Sequence, residues 1–458
     1  MTFDKSSVAS ASLLALATLL LVFSLACGGG GSSSSSANNN NGSSTSALSS
    51  TCANSTGNCA TLTTNNGNGY VNGAFTTVTV CTHGSTTSCV PISGVLVDTG
   101  SVGLRLFKSE LSGVTLTPST FADGDAMVEC YPFVASYMWG PVATADVKVA
   151  GETASNAPIM VIDDSASPAY TPPADCSDYQ GMSPPPTQWN SIAAFGANGI
   201  IGIGSTQQDC GPYCAQLASL QVDTSTPPQF NGLYYDCSSK TICTGAAATT
   251  ASQVPNPVSQ FATDNNGTAI SLPSVSSSGT TSVTGALYFG IGTETGNGTE
   301  SSNAMPSTAT VLTLDTTEQF ISTSFNNVTN PYSYIDSGSN GFFFVDSSIP
   351  ACANTQADPY ASDWFCPSST LSLSATNTGA SGSSGSSTVS FSVANADTLF
   401  NNNSGTDNDF SNLGGPGTSG TFDWGLPFFY GRVVYNAIEG NSVANSNGTT
   451  FTGPFVAY

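Results

Sequence analysis

Two short phrases in the sequence contain residue types that could do chemistry together. The first, VLVDTGS, covers residues 95–101, and the second, YIDSGS, covers residues 334–339. In each phrase an apolar run leads into Asp, which is followed by a small hydroxyl residue, Gly and Ser. The phrase occurs once in each half of the chain, as it must if one site is built from two facing carboxylates, Asp98 and Asp336.

Two facing carboxylates can hydrolyse a bond without any other catalytic side chain. Carboxylates about 3 Å apart cannot both ionise, so they share one proton. The ionised member can take a proton from water, while the protonated member donates its proton to the scissile carbonyl. We therefore predict that Asp98 and Asp336 are catalytic and that they titrate as a coupled dyad.

The other residues of the two phrases are predicted to hold the dyad in place. Each Gly permits the tight turn that brings backbone N–H groups towards a carboxylate. The hydroxyl residue directly after each Asp is expected to bond to the opposite loop, and the Ser three positions after each Asp to bond the outer carboxylate oxygen. These supporting residues are Thr99, Gly100, Ser101, Ser337, Gly338 and Ser339.

The composition excludes several other kinds of function. The chain has 458 residues, with 29 Asp and Glu, 6 Lys and Arg, and one His, for a net charge of -23. So few cations argue against a nucleic-acid partner and against an anionic membrane surface. Serine, cysteine and zinc sites usually need an imidazole, and the single His83 lies in a predicted hairpin tip. We therefore predict no metal and no cofactor, with carboxylates as the acid and base.

The N-terminal region is predicted to export the chain. Residues 1–27 form a signal whose apolar run, 13–25, is too short for a secure membrane span. Its end resembles a bacterial lipoprotein signal, which implies that Cys27 is lipidated and, because Gly28 follows, that the protein reaches the outer membrane. Residues 28–66 are predicted to be a flexible tether, and residues 51–66 of it are alternatively a small cap. An ordinary cleaved signal with a secreted product is the alternative.

The cysteine count agrees with export. Of the 13 Cys residues, removal of Cys27 leaves 13 − 1 = 12, an even number that an oxidising compartment would pair. Proximity along the chain suggests the pairs Cys52–Cys59, Cys81–Cys89, Cys130–Cys176, Cys210–Cys214, Cys237–Cys243 and Cys352–Cys366.

From about residue 67 the sequence is typical of an all-β protein. Short apolar runs alternate with Gly, Asn and Pro, and long helical periodicity is nearly absent. Each Asp phrase is also followed later by its own apolar-Gly run. These are ANGIIGIG at residues 197–204 and WGLPFF at residues 424–429.

These features together resemble the pepsin-like aspartic peptidases over residues 70–458. The resemblance implies an all-β, bilobal fold in which two pseudo-twofold-related β lobes enclose a cleft. The first lobe would span residues 67–254 and carry Asp98, and the second would span residues 255–458 and carry Asp336. The whole sequence resembles more closely a family of uncharacterised proteobacterial lipoproteins.

The sequence departs from the peptidase pattern near the predicted flap. Arg105 stands where that family usually has a Trp that supports the flap Tyr. Arg105 is expected either to form a salt bridge with an acid or to lie near the cleft and depress the pKa of the dyad. Tyr131, Phe133 and Tyr137 are the flap candidates. Alignment places Phe133 nearest, and the two tyrosines are alternatively plain packing residues.

These residues and motifs are compatible with two main functions and, less strongly, with an envelope structural protein in which the Asp turns only connect strands. The first is a surface-anchored aspartic endopeptidase that cleaves extended peptides in the cleft by a two-Asp, water-activating mechanism. The alternative is a catalytically silent lipoprotein of the same fold that binds a peptide or glycan there. In both cases we expect a monomer with a peptide or protein partner and no nucleic acid, in contact with the membrane only through its lipid anchor.

Overall fold

The computed structural model describes most of the chain from residue 48 onwards. The described residues are 48–52, 57–134, 136–178, 185–216, 233–294, 303–316, 319–355, 361–380 and 385–458. The predicted signal peptide, Cys27 and residues 28–47 of the predicted tether lie outside them. Across these ranges, no helix combines the length and the apolar character needed to cross a membrane.

The described chain consists mainly of β-strands with a few short helices. The strands are β1 (Cys59–Thr63), β2 (Phe75–Cys81), β3 (Cys89–Asp98), β4 (Val102–Phe107), β5 (Thr117–Pro118), β6 (Ala126–Pro132), β7 (Ser136–Val149), β8 (Glu152–Ile162), β9 (Thr187–Gln188), β10 (Gly199–Ile203), β11 (Tyr234–Ser239), β12 (Ile242–Gly245), β13 (Gly267–Ser271), β14 (Thr284–Phe289), β15 (Val311–Thr313), β16 (Ile321–Phe325), β17 (Val328–Ile335), β18 (Phe342–Phe344), β19 (Leu371–Thr378), β20 (Ser386–Val393), β21 (Gly414–Pro416), β22 (Phe422–Trp424), β23 (Val433–Ala437), β24 (Ser442–Ala444), β25 (Thr450–Thr452) and β26 (Phe455–Ala457). The α-helices are α1 (Ala174–Ser177), α2 (Ile192–Phe195), α3 (Pro212–Gln216) and α4 (Ala396–Asn401). Short 3₁₀ turns cover Lys108–Leu111, Pro257–Gln260, Ala361–Asp363, Asn402–Gly405 and Leu426–Phe428.

The same strand arrangement surrounds both Asp phrases. In the first lobe β10 lies between β3, to which it is parallel, and β4, to which it is antiparallel. In the second lobe β22 lies in the same way between β17 and β18. In addition, β4 pairs in parallel with β8, and β18 with β21. The repeat of this pattern confirms the predicted all-β, bilobal fold with pseudo-twofold-related lobes.

The central strands of each unit are fully buried because they pack between other strands. All five residues of β10 are buried, as are all three of β18 and of β22. Strands buried on both faces read as continuous apolar runs, which explains the GIIGI and FFF sequences of β10 and β18. Around Trp424 in β22 the second core is dense in aromatic rings, including Phe422 stacked at a centroid distance of 4.4 Å.

One strand of the predicted tether belongs to the folded protein. β1 pairs antiparallel with β14 over five residues and meets β2 where Thr63 lies opposite Phe75. The tether prediction of 28–66 is therefore wrong at its C-terminal end, because the CATLT sequence of β1 alternates between buried and exposed side chains as a strand does. The lobe boundary at residues 254/255 stays a prediction.

The hairpin predicted to be a flap is part of a larger sheet. β6 pairs with β7 on one side and with β11 on the other, and β12 extends the sheet beyond β11. At the other edge β9 pairs with the start of β7. This five-stranded sheet, in the order β12–β11–β6–β7–β9, is called the hairpin sheet below.

The six predicted disulfides are confirmed. Two of them link residues directly opposite each other in antiparallel pairs, Cys81 with Cys89 and Cys237 with Cys243. The bridge with the largest sequence separation, 46 residues, joins Cys130 of β6 to Cys176 of α1. Most bridges therefore fasten local loops, whereas this one fastens the hairpin sheet to a helix.

Candidate active site

The fold brings the two Asp residues together from distant parts of the chain. Asp98 is the last residue of β3, and Asp336 directly follows β17. Both are buried, with 1% and 0% of their surface exposed, and their carboxyl groups interact through a hydrogen bond. The geometric part of the dyad prediction thus holds in the structure, while the catalytic role of the two residues stays a prediction.

The turn after β3 holds the Asp98 carboxyl by both oxygens. The Gly100 backbone N–H donates to Oδ1 at 2.8 Å, and the Ser101 hydroxyl donates to Oδ2 at 2.5 Å. Because each oxygen has its own donor, the carboxyl plane has one orientation.

The turn after β17 repeats this arrangement around Asp336. The Gly338 N–H donates to Oδ1 at 2.7 Å, and the Ser339 hydroxyl donates to Oδ2 at 2.8 Å. The two carboxyls are therefore held by equivalent donors, as expected for a pair related by pseudo-twofold symmetry.

The hydroxyl residues that follow each Asp tie the two turns together. The Thr99 hydroxyl donates to the Ile335 carbonyl at 3.1 Å and accepts from the Ser337 N–H at 2.9 Å. The Ser337 hydroxyl donates to the Val97 carbonyl at 2.8 Å and accepts from the Thr99 N–H at 3.1 Å. These four reciprocal bonds fix the distance between the two turns, so neither Asp can move independently.

Each carboxyl lies against the glycine of the opposite turn. A Cβ atom added to Gly100 would lie 2.6 Å from Cγ of Asp336, and one added to Gly338 would lie 2.6 Å from Cγ of Asp98. Any side chain at either position would push the facing carboxyl away. Glycine is therefore required here to let the dyad close, in addition to permitting the turn.

The environment favours one proton on the pair. Burial raises the pKa of Asp98 well above its ordinary value, and the charge of Asp336 and the hydrogen bond to it raise that pKa further. The bonds from Ser101 and Gly100 act in the opposite direction but do not outweigh burial. The raised pKa of Asp98 therefore favours the protonated form of this carboxyl.

Tyr70 is a neighbour of the dyad that the sequence did not reveal. Its hydroxyl donates to the Gly338 carbonyl at 2.7 Å, and the side chain is buried with its ring edge against Phe75. Burial raises the pKa of the Tyr70 phenol, and the charges of Asp98 and Asp336 raise it further. The only sequence signal was one Tyr in an Asn- and Gly-rich stretch.

All three predicted flap residues are buried. Tyr131, Phe133 and Tyr137 are 2%, 1% and 4% exposed. The Phe133 ring lies 4.9 Å from the Trp189 ring and 5.3 Å from the Tyr131 ring, centroid to centroid. Both tyrosines are thus packed side chains in this structure, and a flap role for any of the three residues stays a prediction. Tyr131 also lies near enough to Asp98 for that charge to raise its pKa.

Arg105 forms salt bridges, which was the first of its two predicted roles. Its Nη2 atom lies 2.5 Å from Oε1 of Glu129 and 3.3 Å from Oδ2 of Asp209. The guanidinium Cζ is also 3.4 Å from the centre of the Tyr131 ring. The side chain is fully buried within the first lobe.

One further group of carboxylates in the described ranges could approach a common cation. Asp123, Asp125 and Asp236 have oxygens within 4.8 Å of one another, and all three are exposed or half-exposed. They lie at the start of β6 and on β11. Exposed acids of this kind are common without a bound ion, so they do not alter the prediction of no metal.

A protein-family comparison identifies the group to which this sequence belongs. The family described as "Protein of unknown function (DUF3443)" matches residues 52–458. The chain belongs to this family. The match begins at Cys52, before β1, so it includes the strand predicted to be tether and covers both lobes. The family description states no activity, and the function of this DUF3443 member must be argued from its site.

Two other comparisons, with curated proteins and with solved structures, were also made. No curated protein matches the DUF3443 chain significantly. The crystal structure of an aspartic proteinase from Irpex lacteus aligns with 87% of this chain and 96% of its own, at 16% identity and a TM-score of 0.41. Because the identity and the TM-score are low, no residue role is transferred from that enzyme to this chain.

Proposed function

We propose that this DUF3443 member is an aspartic endopeptidase that hydrolyses peptide bonds by activating water between Asp98 and Asp336. The observation that carries the proposal is the pair of matching turns, which hold two buried carboxyls in mutual contact by equivalent hydrogen bonds. Burying two adjacent carboxyl groups is energetically unfavourable. Ionisable groups held in this way are found mainly at functional sites.

The proposed mechanism uses each carboxyl in one protonation state. Ionised Asp336 takes a proton from water, the water oxygen bonds to the peptide carbonyl carbon, and Asp98 donates its proton to the carbonyl oxygen. The tetrahedral product then breaks its C–N bond while Asp336 passes its proton to the leaving nitrogen and Asp98 takes a proton from a hydroxyl of that product. One water and one amide give one acid and one amine, and the pair regains its single proton.

The shared proton predicts how activity depends on pH. Activity should fall on the acid side when both carboxyls are protonated, because no base remains. It should fall on the alkaline side when both are ionised, because no acid remains. Since burial and the neighbouring charge raise the pKa of Asp98, the alkaline limb should lie well above the ordinary pKa of Asp.

The test is cleavage of a mixed peptide library at pH 3 to 7, with products identified by mass spectrometry. Asp336→Ala and Asp98→Asn should each lower the rate by about 10²- to 10⁴-fold, as expected for loss of a general acid or base. Asp123→Asn, a carboxyl away from the dyad, is the matched control and should cleave at the wild-type rate. Wild-type activity in Asp336→Ala would overturn the proposal.

A second candidate function is peptide or glycan binding without cleavage. The buried flap candidates and the pairing of the hairpin on both edges favour it, because this hairpin is less free to open over a substrate. Binding of a peptide or glycan that survives simultaneous Asp98→Asn and Asp336→Asn, in a wild-type protein that cleaves nothing, would establish this alternative.

Two features of the chain, its disulfides and Cys27, are the basis for proposing a cellular location. Six disulfides are typical of an exported protein. We further propose that Cys27 is lipidated and anchors the chain to the outer membrane, facing the periplasm or the surface, as a monomer. Cys27→Ser should move the protein from the membrane fraction to the soluble fraction and abolish labelling by palmitate. An unlabelled, soluble wild-type protein would instead establish simple secretion.

A further inference from the structure

A second group of buried ionisable side chains lies beside the hairpin, in the first lobe. Arg105 comes from β4, the strand that follows the Asp98 turn, and Glu129 and Tyr131 come from β6. Asp209 comes from the loop after β10, and Tyr234 comes from β11. The Arg105, Glu129 and Asp209 side chains are all 0% exposed.

Two carboxylates face a single cation in this group. Arg105 Nη2 lies 2.5 Å from Glu129 and 3.3 Å from Asp209, and its Nη1 donates to the Val102 carbonyl at 2.8 Å. The Tyr234 hydroxyl is 2.8 and 2.9 Å from the two oxygens of Asp209. With both acids ionised, the group would carry a net negative charge without any contact with solvent, which is strongly unfavourable.

The surroundings of one carboxylate oxygen of Glu129 indicate that the group holds a proton between its two acids. Oε2 of Glu129 is buried, and among the described residues no N–H or ordinary hydroxyl donor reaches it. The adjacent carboxyl of Asp209 interacts with Glu129 by a side-chain hydrogen bond, which requires one of the two acids to carry a proton. Burial raises the pKa of Asp209 well above its ordinary value, and the charge of Glu129 raises it further, so Asp209 holds that proton.

The same group holds β6, one of the two strands of the hairpin. Glu129 and Tyr131 are two positions apart on β6, so their side chains lie on one face of the strand. Arg105 contacts both, by the ion pair to Glu129 and by its position 3.4 Å from the centre of the Tyr131 ring. Tyr131 in turn lies within electrostatic range of Asp98. Contacts therefore run from the acid pair through Arg105 to Tyr131, and Tyr131 interacts with the dyad through the charge of Asp98.

We propose that Glu129 and Asp209 form a second carboxylate pair that shares one proton and, through Arg105, fixes Tyr131 and the β6–β7 hairpin beside Asp98. These are positioning residues, and their effect on catalysis rests on the proposed function. The groups that face the pair are Arg105 from β4, Tyr131 from β6 and Tyr234 from β11. Loss of the shared proton leaves two anions against one cation, which loosens the hairpin and weakens the binding of substrate.

Asp209→Asn is the decisive variant because its amide can donate to Glu129 at every pH, whereas the acid can donate only while it is protonated. In the full mature wild-type chain, hydrogen exchange of residues 126–149 should rise with pH by about tenfold relative to β19–β20 in the second lobe. In Asp209→Asn that ratio should stay constant. Glu129→Gln, which also removes one acid of the pair, should behave similarly and provides the test if Asp209→Asn does not fold.

Peptide kinetics supply a second readout. KM should rise with pH in the wild type and stay level in Asp209→Asn, while the pH limbs of kcat that belong to the dyad stay unchanged. Asp163→Asn is the matched control, since it also removes a carboxyl from a salt bridge in the first lobe, the one with the exposed Lys108, and should alter neither readout.

The two proposals can fail separately. Hydrogen exchange can be measured with Asp336→Ala present, so it requires no peptidase activity. If the wild type cleaves nothing, the proposed function fails while the exchange data still test the acid pair. If the hairpin exchanges with the same pH dependence in wild type, Asp209→Asn and Glu129→Gln, the second pair is overturned even if cleavage is found.

Discussion

Tyr70 connects the N-terminal part of the chain to the dyad through one hydrogen bond. Its hydroxyl donates to the carbonyl of Gly338, the residue whose N–H holds Asp336. The peptide groups on both sides of Gly338 are thus fixed, one by Tyr70 and one by the carboxyl itself. Tyr70 therefore stabilises the backbone geometry that the Asp336 carboxyl requires.

Tyr70→Phe should remove this bond without opening a cavity. The buried Gly338 carbonyl loses its donor, so we expect a loss of roughly 1 kcal/mol in the free energy of unfolding, together with a lower kcat and a shifted pH profile. Tyr288→Phe is the matched control, because the Tyr288 hydroxyl bonds the carbonyls of Ser49 and Thr51 instead. Equal kcat values in the two variants would contradict a role for Tyr70 at the dyad.

Sequence alone was enough to pair Asp98 with Asp336 but not to find Tyr70. The residues that hold each Asp lie within three positions of it, so the local phrase contains the information. Tyr70 reaches Gly338 across 268 positions, and that contact exists only after both lobes have formed. The partners of Arg105 were hidden for the same reason, since Asp209 lies 104 positions away.

The hairpin sheet differs from the flap that the sequence predicts at β6 and β7. β6 and β7 are recognisable in the sequence by their apolar and aromatic runs, but their pairing with β9 and β11 is not, because those partners lie far along the chain. The Cys130–Cys176 bridge was found by proximity along the chain, although its structural consequence was not. It fastens the centre of this sheet to α1.

Removing the Cys130–Cys176 bridge by a double Ala substitution should affect stability and function together. A closed loop of 46 residues contributes roughly 4 kcal/mol by loop entropy, against roughly 3 kcal/mol for the 14-residue loop of Cys352–Cys366. Denaturant titration measures both losses. Loss of the Cys130–Cys176 bridge should also change KM for a peptide, because this bridge lies in the hairpin sheet. Loss of the Cys352–Cys366 bridge, which lies in the second lobe, should leave KM unchanged. A change in KM from both would contradict this assignment.

On the scale of the whole molecule, the Asp409 carboxyl joins segments that lie far apart along the chain. Its buried carboxyl accepts from the Thr64 hydroxyl at 2.5 Å and from the Tyr430 hydroxyl at 3.2 Å. The neighbouring Asn408 donates to the Tyr70 carbonyl at 2.8 Å. Burial raises the pKa of Asp409 to about 7, despite the hydrogen bonds that lower it.

Asp409 should make the folded protein more stable in acid than at neutral pH. The folded state binds this proton more tightly than the unfolded state, so the stabilisation is complete below about pH 4 and is lost as the pH rises through about 7. The loss is on the order of 4 kcal/mol, and Asp409→Asn should remove it. Denaturant midpoints from pH 4 to 8 measure the slope.

Asp146 provides a control of opposite sign for that experiment. Hydrogen bonds from His83, Asn156, Gly84 and Ser155 lower its pKa to about 2, although burial acts the other way. Its stabilisation is therefore present above about pH 4 and is lost as the pH falls towards 2. Asp146→Asn should destabilise the protein at neutral pH and leave the Asp409 slope unchanged. A flat wild-type profile between pH 4 and 8 would contradict the assignment to Asp409.

The position of β1 limits how far the N-terminus can be shortened before the protein aggregates. β14 bonds to β13 on one side and to β1 on the other. A protein shortened to begin at residue 67 would leave the β1 side of β14 as an open ladder that recruits strands from other copies. Light scattering should then detect aggregates that a chain beginning at residue 48 does not form. Proteolysis that removes β1 should therefore make this protein aggregate.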